Sequence, residues 1–175
     1  MKNKVSIYLG QAMTGHTGQE LWSTLLSIRP IYEKYGIELI SPIEKEGILP
    51  NAARLTDRSD EEMTNIWKKK DKEQIRSVNV FVYIASNKTS QGVMKEFALA
   101  RGSLWKPTVG VYLSGLRPGF ITRAEDDAVV TSHEEAALTI VARWGTWSKR
   151  LKWRLKMLYR SLPKFVWFQL KELFR

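Results

Sequence analysis

The chain has 175 residues, no cysteine, two histidines and a formal net charge of +10. The length suits one domain with an appendage, the lack of cysteine excludes disulfides, thiol catalysis and zinc–thiolate sites, and His16 and His133 are too far apart in sequence to predict a histidine-rich metal centre. No apolar run approaches the roughly 18 residues of a membrane-crossing helix, and Met1-Lys2-Asn3-Lys4 leads into a strand-like segment without a signal-peptide core, so a cytoplasmic protein is expected.

Lys4–Leu9 reads as a first strand, and Gly10–Gly18 as a Gly/Thr loop. Thr17-Gly18-Gln19-Glu20 has capping-box spacing and predicts a helix to about Tyr35, stopped by Gly36. Ile37–Ile40 is a short second strand, and Ser41–Asp60 a long polar connection, fit for a lid or a loop. Glu61–Arg76 reads as a helix with Lys68–Lys70 on a solvated face. The continuous apolar run from Val78 to Ala85 predicts a central strand covered on both faces. A Ser86–Gln91 loop and a helix to about Gly102 follow, and Lys106-Pro107 introduces a fourth strand, Thr108–Leu113. Ser114–Arg123 is a loop, and Asp126 and Asp127 read as loop or strand-edge acids that could help form a neighbouring subunit's pocket. Ala128–Thr131 is a fifth strand, and Ser132-His133-Glu134-Glu135 a second capping box, opening a helix to about Trp144.

This alternation predicts an α/β domain over residues 1–142, a flavodoxin-like parallel sheet of order 2-1-3-4-5 with helices on both faces. Residues 143–175 form a separate basic tail. Residues 1–142 hold 18 Lys and Arg against 17 Asp and Glu, and residues 143–175 hold 10 against 1, so the basic character belongs to the tail. Trp147, Leu151, Leu155, Leu158 and Leu162 recur there at helical spacing, with Lys149, Arg150, Lys152, Arg154 and Lys156 between them. Ser161 and Pro163 open a second helix carrying Val166, Trp167, Leu170, Leu173 and Phe174.

Ligands of open α/β sheets bind beyond the carboxyl ends of the strands, which points to the loop after Ala85. Glu96 follows it among apolar neighbours, and Asp71 lies upstream. Two acids near a phosphate-sized loop suggest cleavage of a glycosidic bond: one carboxylate attacks or stabilises the anomeric carbon, and the other protonates the leaving group or orients the sugar. Glu96 is the better nucleophile and Asp71 the better acid. Ser90 and the backbone N–H groups from Ser90 to Gly92, at a helix N-terminus, are suited to an anion.

Four segments together resemble the nucleoside 2-deoxyribosyltransferase-like superfamily. They are Tyr8-Leu9-Gly10-Gln11-Ala12-Met13-Thr14-Gly15, Ser41-Pro42-Ile43-Glu44, Asp71-x-x-x-Ile75-x-x-x-Asn79-Val80, and Ser90-x-Gly92-x-x-x-Glu96-x-x-x-Ala100, in the family's order over roughly residues 4–140. The resemblance implies that Glu96 is the nucleophile, that Asp71 contacts the sugar or assists proton transfer, and that Tyr8 lies beside both. It also implies substrate contacts by Gly10, Met13, Thr14, Ser90 and Gly92, a homo-oligomer whose subunits complete each other's pockets, and no metal or organic cofactor. Ser90, six residues before Glu96, matches the branch that hydrolyses nucleoside 5′-monophosphates. The transferase branch carries an acid there, which would repel a phosphate. Gln11 stands where the family has a smaller residue or proline; it could hydrogen-bond a base or ribose, or fill part of the pocket.

Three functions follow as expectations: a nucleotide N-glycosidase, a nucleoside 2-deoxyribosyltransferase, and a nucleotide-sensing binding module whose tail engages a membrane or a partner. The tail itself has three readings. It could pack on its own domain or a dimer partner, lie at the inner membrane surface, or bind nucleic acid through charge and stacking, although no nucleic-acid motif supports the last.

Overall fold

A computed structural model describes residues 4–13, 15–45, 48–51, 71–85, 91–113 and 126–161. Five strands form one sheet of order β2-β1-β3-β4-β5: β1 Val5–Gly10, β2 Ile37–Ile40, β3 Val80–Ile84, β4 Thr108–Val111 and β5 Ala128–Val130. All neighbouring pairs are parallel. This is the flavodoxin-like order expected from the alternation of strand and helix.

Helices cover both faces. On one face, α1 (Gly18–Lys34) packs beside α5 (His133–Trp144). Leu21, Leu25, Ile28 and Tyr32, at alternating spacings of four and three, give α1 one buried stripe. They meet Ile7, Leu9, Val80, Val82, Val109 and Val111 from the sheet, with Ile140 and Trp144 from α5. Burial of each such aliphatic side chain stabilises the fold by about 1.5–3 kcal/mol. The buried Tyr32 hydroxyl and His133 Nδ1 lie 3.1 Å apart between these helices, and burial holds the imidazole pKa down at about 4. The other face carries α3 (Lys72–Ser77) and α4 (Gln91–Ala98), which cover an aromatic layer of Tyr8, Phe81, Tyr83, Phe97 and Tyr112.

The Thr17 capping box forms completely, with Glu20 N donating to Thr17 Oγ1 and Thr17 N donating to Glu20 Oε2. At α5 only half of the expected box forms. Ser132 accepts from Glu135 N, but the Glu135 carboxylate turns back to Thr131 N and Oγ1. Gly36 adopts φ +70°, the left-handed geometry that ends α1.

Several expected boundaries move for identifiable reasons. The connection after β2 begins with a short helix, α2 (Pro42–Lys45), because Ser41 Oγ accepts from Ile43 N and Pro42 is pre-set for a first helical position. β3 starts at Val80 rather than Val78. The Val78 carbonyl accepts from Lys106 Nζ at 2.5 Å, while Asn79 Oδ1 accepts from Ser6 N at 3.0 Å. The helix after β3 gives way at Leu99 to a π-helical turn, Leu99–Ser103, closed by Leu104 N donating to the Leu99 carbonyl. Of the Glu61–Arg76 helix, residues 61–70 lie outside the described residues. So do 52–60 of the long connection, the Ser114–Arg123 loop and the second tail helix.

The first tail helix is α6, Trp147–Ser161. It packs against α5, and Trp153 is half-buried against the core.

Candidate active site

The aromatic layer and the strand register build the site. Tyr8 pairs with Phe81, and Gly10 with Tyr83, across β1 and β3; Phe81 pairs with Thr108, and Tyr83 with Gly110, across β3 and β4. Residues two apart on a strand share a face, so Tyr8, Phe81 and Tyr83 project together. The Tyr8 and Phe81 rings stack at 5.8 Å and 15°, and Phe81 and Tyr83 at 6.2 Å and 27°.

α4 lies over this layer. Val93, Glu96, Phe97 and Ala100 recur at helical spacing and are all buried, so Glu96 sits on the apolar face of its helix with 7% of its surface exposed. Its Oε1 accepts a hydrogen bond of 2.9 Å from the buried Tyr8 hydroxyl. Its Oε2 lies over Gly10: a Cβ placed there would stand 3.0 Å from that oxygen and 3.0 Å from Phe81 Cζ. Gly10 thus makes room for the carboxylate at the end of β1. Burying a carboxylate costs several kcal/mol unless hydrogen bonds compensate, and the Tyr8 hydroxyl supplies one.

Asp71 immediately precedes α3 and is 5% exposed. It does not cap the helix, and it lies one turn before Ile75, which packs in the same aromatic layer as Tyr8. Tyr8, Gly10 and Glu96 are therefore in direct contact, and Asp71 is buried on the same side of the sheet. Gln11, next to Gly10, is 7% exposed, and its Oε1 has no hydrogen-bond partner among the described residues. Gly92 is half-buried in the first turn of α4, one turn before Glu96. Met13 is half-buried against the core on the α1 side, and the structure does not join it to the Tyr8–Glu96 pair. Ser90 and Thr14 lie outside the described residues.

A third acid on this face was not singled out by spacing. The Tyr83 hydroxyl donates to Asp126 Oδ2 at 2.6 Å and lies 2.8 Å from the Tyr112 hydroxyl. Gly110 makes the room, since a Cβ there would meet Tyr83 Oη and Asp126 Oδ2 at 2.8 Å. Gly10 and Gly110 flank Tyr83 in register, so Glu96 and Asp126 stand on either side of that ring. Burial pushes the Asp126 carboxyl up to about 6 and, with the Asp126 hydrogen bond, raises the Tyr83 hydroxyl well above the usual phenol range. The sequence signal was Gly110 itself, since a glycine inside a buried strand marks close approach by another group. Asp127 differs from its neighbour. Arg101 Nη1 at 2.6 Å, Thr108 N at 3.0 Å and Trp153 Nε1 at 3.2 Å all donate to its carboxylate, making it a structural tie.

Among the described residues, no three His, Asp or Glu side chains converge in a way that could hold a metal ion.

By sequence, the chain matches no family model and none of the curated proteins. By structure, it is similar to a 2-deoxyribosyltransferase from the psychrotolerant bacterium Bacillus psychrosaccharolyticus, with a TM-score of 0.56 and 19% identity over 76% of this chain and 90% of that one. It is also similar to a conserved protein from Enterococcus faecalis V583, with a TM-score of 0.52 and 19% identity over 79% and 98%. A CMP N-glycosidase from Clostridium botulinum, BcmB, aligns with a TM-score of 0.45 and 12% identity over 77% and 97%. At these identities the likeness is one of fold: the chain shares its α/β fold with a 2-deoxyribosyltransferase.

Proposed function

We propose that this protein cleaves the N-glycosidic bond of a nucleoside 5′-monophosphate or a related nucleotide, with Glu96 as nucleophile. The observation that carries the reading is the buried Glu96 carboxylate, held by the Tyr8 hydroxyl above the bare Cα of Gly10. A carboxylate placed at such cost on the apolar face of a helix is the arrangement expected of a working group. The fold shared with a protein named as a 2-deoxyribosyltransferase supports chemistry at an anomeric carbon.

In the first step a Glu96 oxygen bonds to the anomeric carbon as the carbon–nitrogen bond breaks, and the bonding pair leaves with the base. Asp71 protonates the departing base or orients the sugar. In the second step water attacks the same carbon, the ester to Glu96 breaks, and the proton lost by the water passes to the ionised acid or to solvent. Tyr8 holds Glu96 in line for attack. Ser90 and the start of α4 take the phosphate, as the serine six residues before Glu96 implies. The Gln11 amide, with its unpartnered buried oxygen, accepts an N–H or O–H of the base or ribose.

The test is incubation with a panel of ribo- and deoxyribonucleoside 5′-monophosphates, following free base by chromatography. Base release by the wild type and none by a folded Glu96→Gln variant is expected; equal release by both would sink the assignment. The shared fold also favours a second reading, transfer of the sugar to another base. That reading gains if a second base supplied in solution is glycosylated faster than the sugar phosphate is freed.

A further inference from the structure

One face of α6 is docked. The half-buried Trp153 donates its indole N–H to Asp127 Oδ1 at 3.2 Å, and Arg150 Nη1 donates to the Trp144 carbonyl at 3.0 Å. A second face is exposed. Trp147 is 63% exposed, Leu151 38% and Leu155 57%. At 100° per residue these three side chains fall within an arc of about 80°, a single apolar stripe turned to solvent. The rest of the helix is cationic: Lys149, Arg150, Lys152, Arg154, Lys156 and Arg160 stand against no Asp or Glu between Trp147 and Ser161.

We infer that α6 is a docking surface for an anionic phospholipid bilayer, lying in the headgroup plane with its Trp/Leu stripe buried in the acyl boundary. Charge complementarity selects this occupant. Pairing the stripe with a second copy would bring two helices together that hold only cations, against Coulomb repulsion. A nucleic acid would match the charge but offers no aliphatic surface to Leu151 and Leu155. An anionic membrane meets both demands, lipid tails taking Trp and Leu while the headgroups take Lys and Arg. The remaining chain is of similar composition, with Phe165, Trp167, Phe168, Leu170, Leu173 and Phe174 beside Lys164, Lys171 and Arg175 and the single acid Glu172. No helix among the described residues is long and apolar enough to cross a membrane, so the contact is peripheral.

The fold separates this surface from the candidate active site. Asp127, which ties Trp153, precedes β5 and accepts from the N–H of Thr108, the first residue of β4. α6 is therefore anchored at the amino ends of these strands. Glu96 and Gly10 lie at the carboxyl end of β1. A bound bilayer leaves the site's end of the sheet open.

The test is sedimentation of the full chain with vesicles of phosphatidylcholine alone and of phosphatidylcholine with about one-third phosphatidylserine. Binding is expected only to the anionic vesicles, with a blue shift in tryptophan emission and weakening in high salt. Leu151→Ser/Leu155→Ser should reduce it at least tenfold with unchanged circular dichroism and melting temperature. Should that variant fail to fold, Trp147→Ala serves in its place. The inference is overturned by equal binding to neutral vesicles or by binding insensitive to these substitutions. It is also overturned if the protein ignores vesicles and instead binds a single-stranded oligonucleotide, or self-associates through the same stripe.

Discussion

Tyr8 on the first strand donates its hydroxyl to Glu96 on the fourth helix at 2.9 Å, a buried contact spanning 88 residues of chain. The Tyr8 ring is fixed by stacking on Phe81, and Glu96 by a helix whose other inward residues are apolar. The pair is pre-organised, and its hydrogen bond is one positional control on the proposed nucleophile.

Tyr8→Phe keeps the stacked ring and deletes only the donor. A hydrogen bond to a charged group is worth about 1.5–3 kcal/mol, so kcat/KM should fall by about ten- to hundredfold, with the melting temperature changed by only a few degrees. Steady-state kinetics of base release check this, and an unchanged rate would remove Tyr8 from the account.

Gly10→Ala places a methyl 3.0 Å from both Glu96 Oε2 and Phe81 Cζ. Phe81 is locked in the aromatic layer, so the carboxylate must give way. Activity should drop by at least tenfold, a displacement of a few tenths of an ångström being costly to attack geometry, while α/β content by circular dichroism stays intact. A fully active alanine variant would show that Glu96 is not held where the chemistry requires.

Asp126 makes folding stability depend on pH. Burial raises its folded-state pKa from 3.8 to about 6, so the folded chain holds this proton more tightly than the unfolded chain. Its contribution is fully present below about pH 4 and is lost as pH rises through 6. Asp126→Asn lacks the titration. The stability of the variant relative to wild type should therefore improve between pH 4 and pH 7 by about 2 kcal/mol, read from denaturant melts at both values. Parallel pH profiles would contradict the raised pKa of this half-buried carboxyl.

Lys106 is a buried ammonium that donates to the carbonyls of Arg76 at 2.7 Å and Val78 at 2.5 Å, closing the turn between α3 and β3. Burial lowers its pKa to about 8, with the charge of Arg154 a smaller cause. Lys106→Met preserves the apolar stem but leaves both carbonyls without this donor. We expect a loss of about 2 kcal/mol by urea denaturation, and a variant as stable as wild type would refute the tie.

The sheet was legible because its signals are local. The Val80–Ile84 run is apolar throughout and central in the sheet, Thr17 and Glu20 lie within one turn, and Gly36 needs only its own backbone to stop a helix. The burial of Glu96 was legible for a related reason, as an acid among the apolar neighbours Val93, Phe97 and Ala100; its proposed role as nucleophile comes chiefly from the family resemblance. The Tyr83–Asp126 contact was not, because it depends on strand register: Gly110, paired with Tyr83, leaves the space in which that carboxyl meets the Tyr83 hydroxyl. Asp126 and Asp127 are the same residue type in adjacent positions, and the geometry just before β5 decides which accepts from Tyr83 and which ties Arg101. Lys106 read as a strand preface because its carbonyl partners come from another element, 28 and 30 residues away.

The central claim is that Glu96 forms a bond to the sugar. A 2-fluorinated nucleoside 5′-monophosphate slows both steps by withdrawing electrons from the anomeric carbon, and slows breakdown of the glycosyl-enzyme enough for it to accumulate. Intact-mass and peptide mass spectrometry after incubation should show one fluorinated sugar-phosphate adduct, on the peptide containing Glu96 and absent from Glu96→Gln. An adduct on another residue, or base release with the carbon–nitrogen bond cleaved and no adduct at any time, would contradict the account.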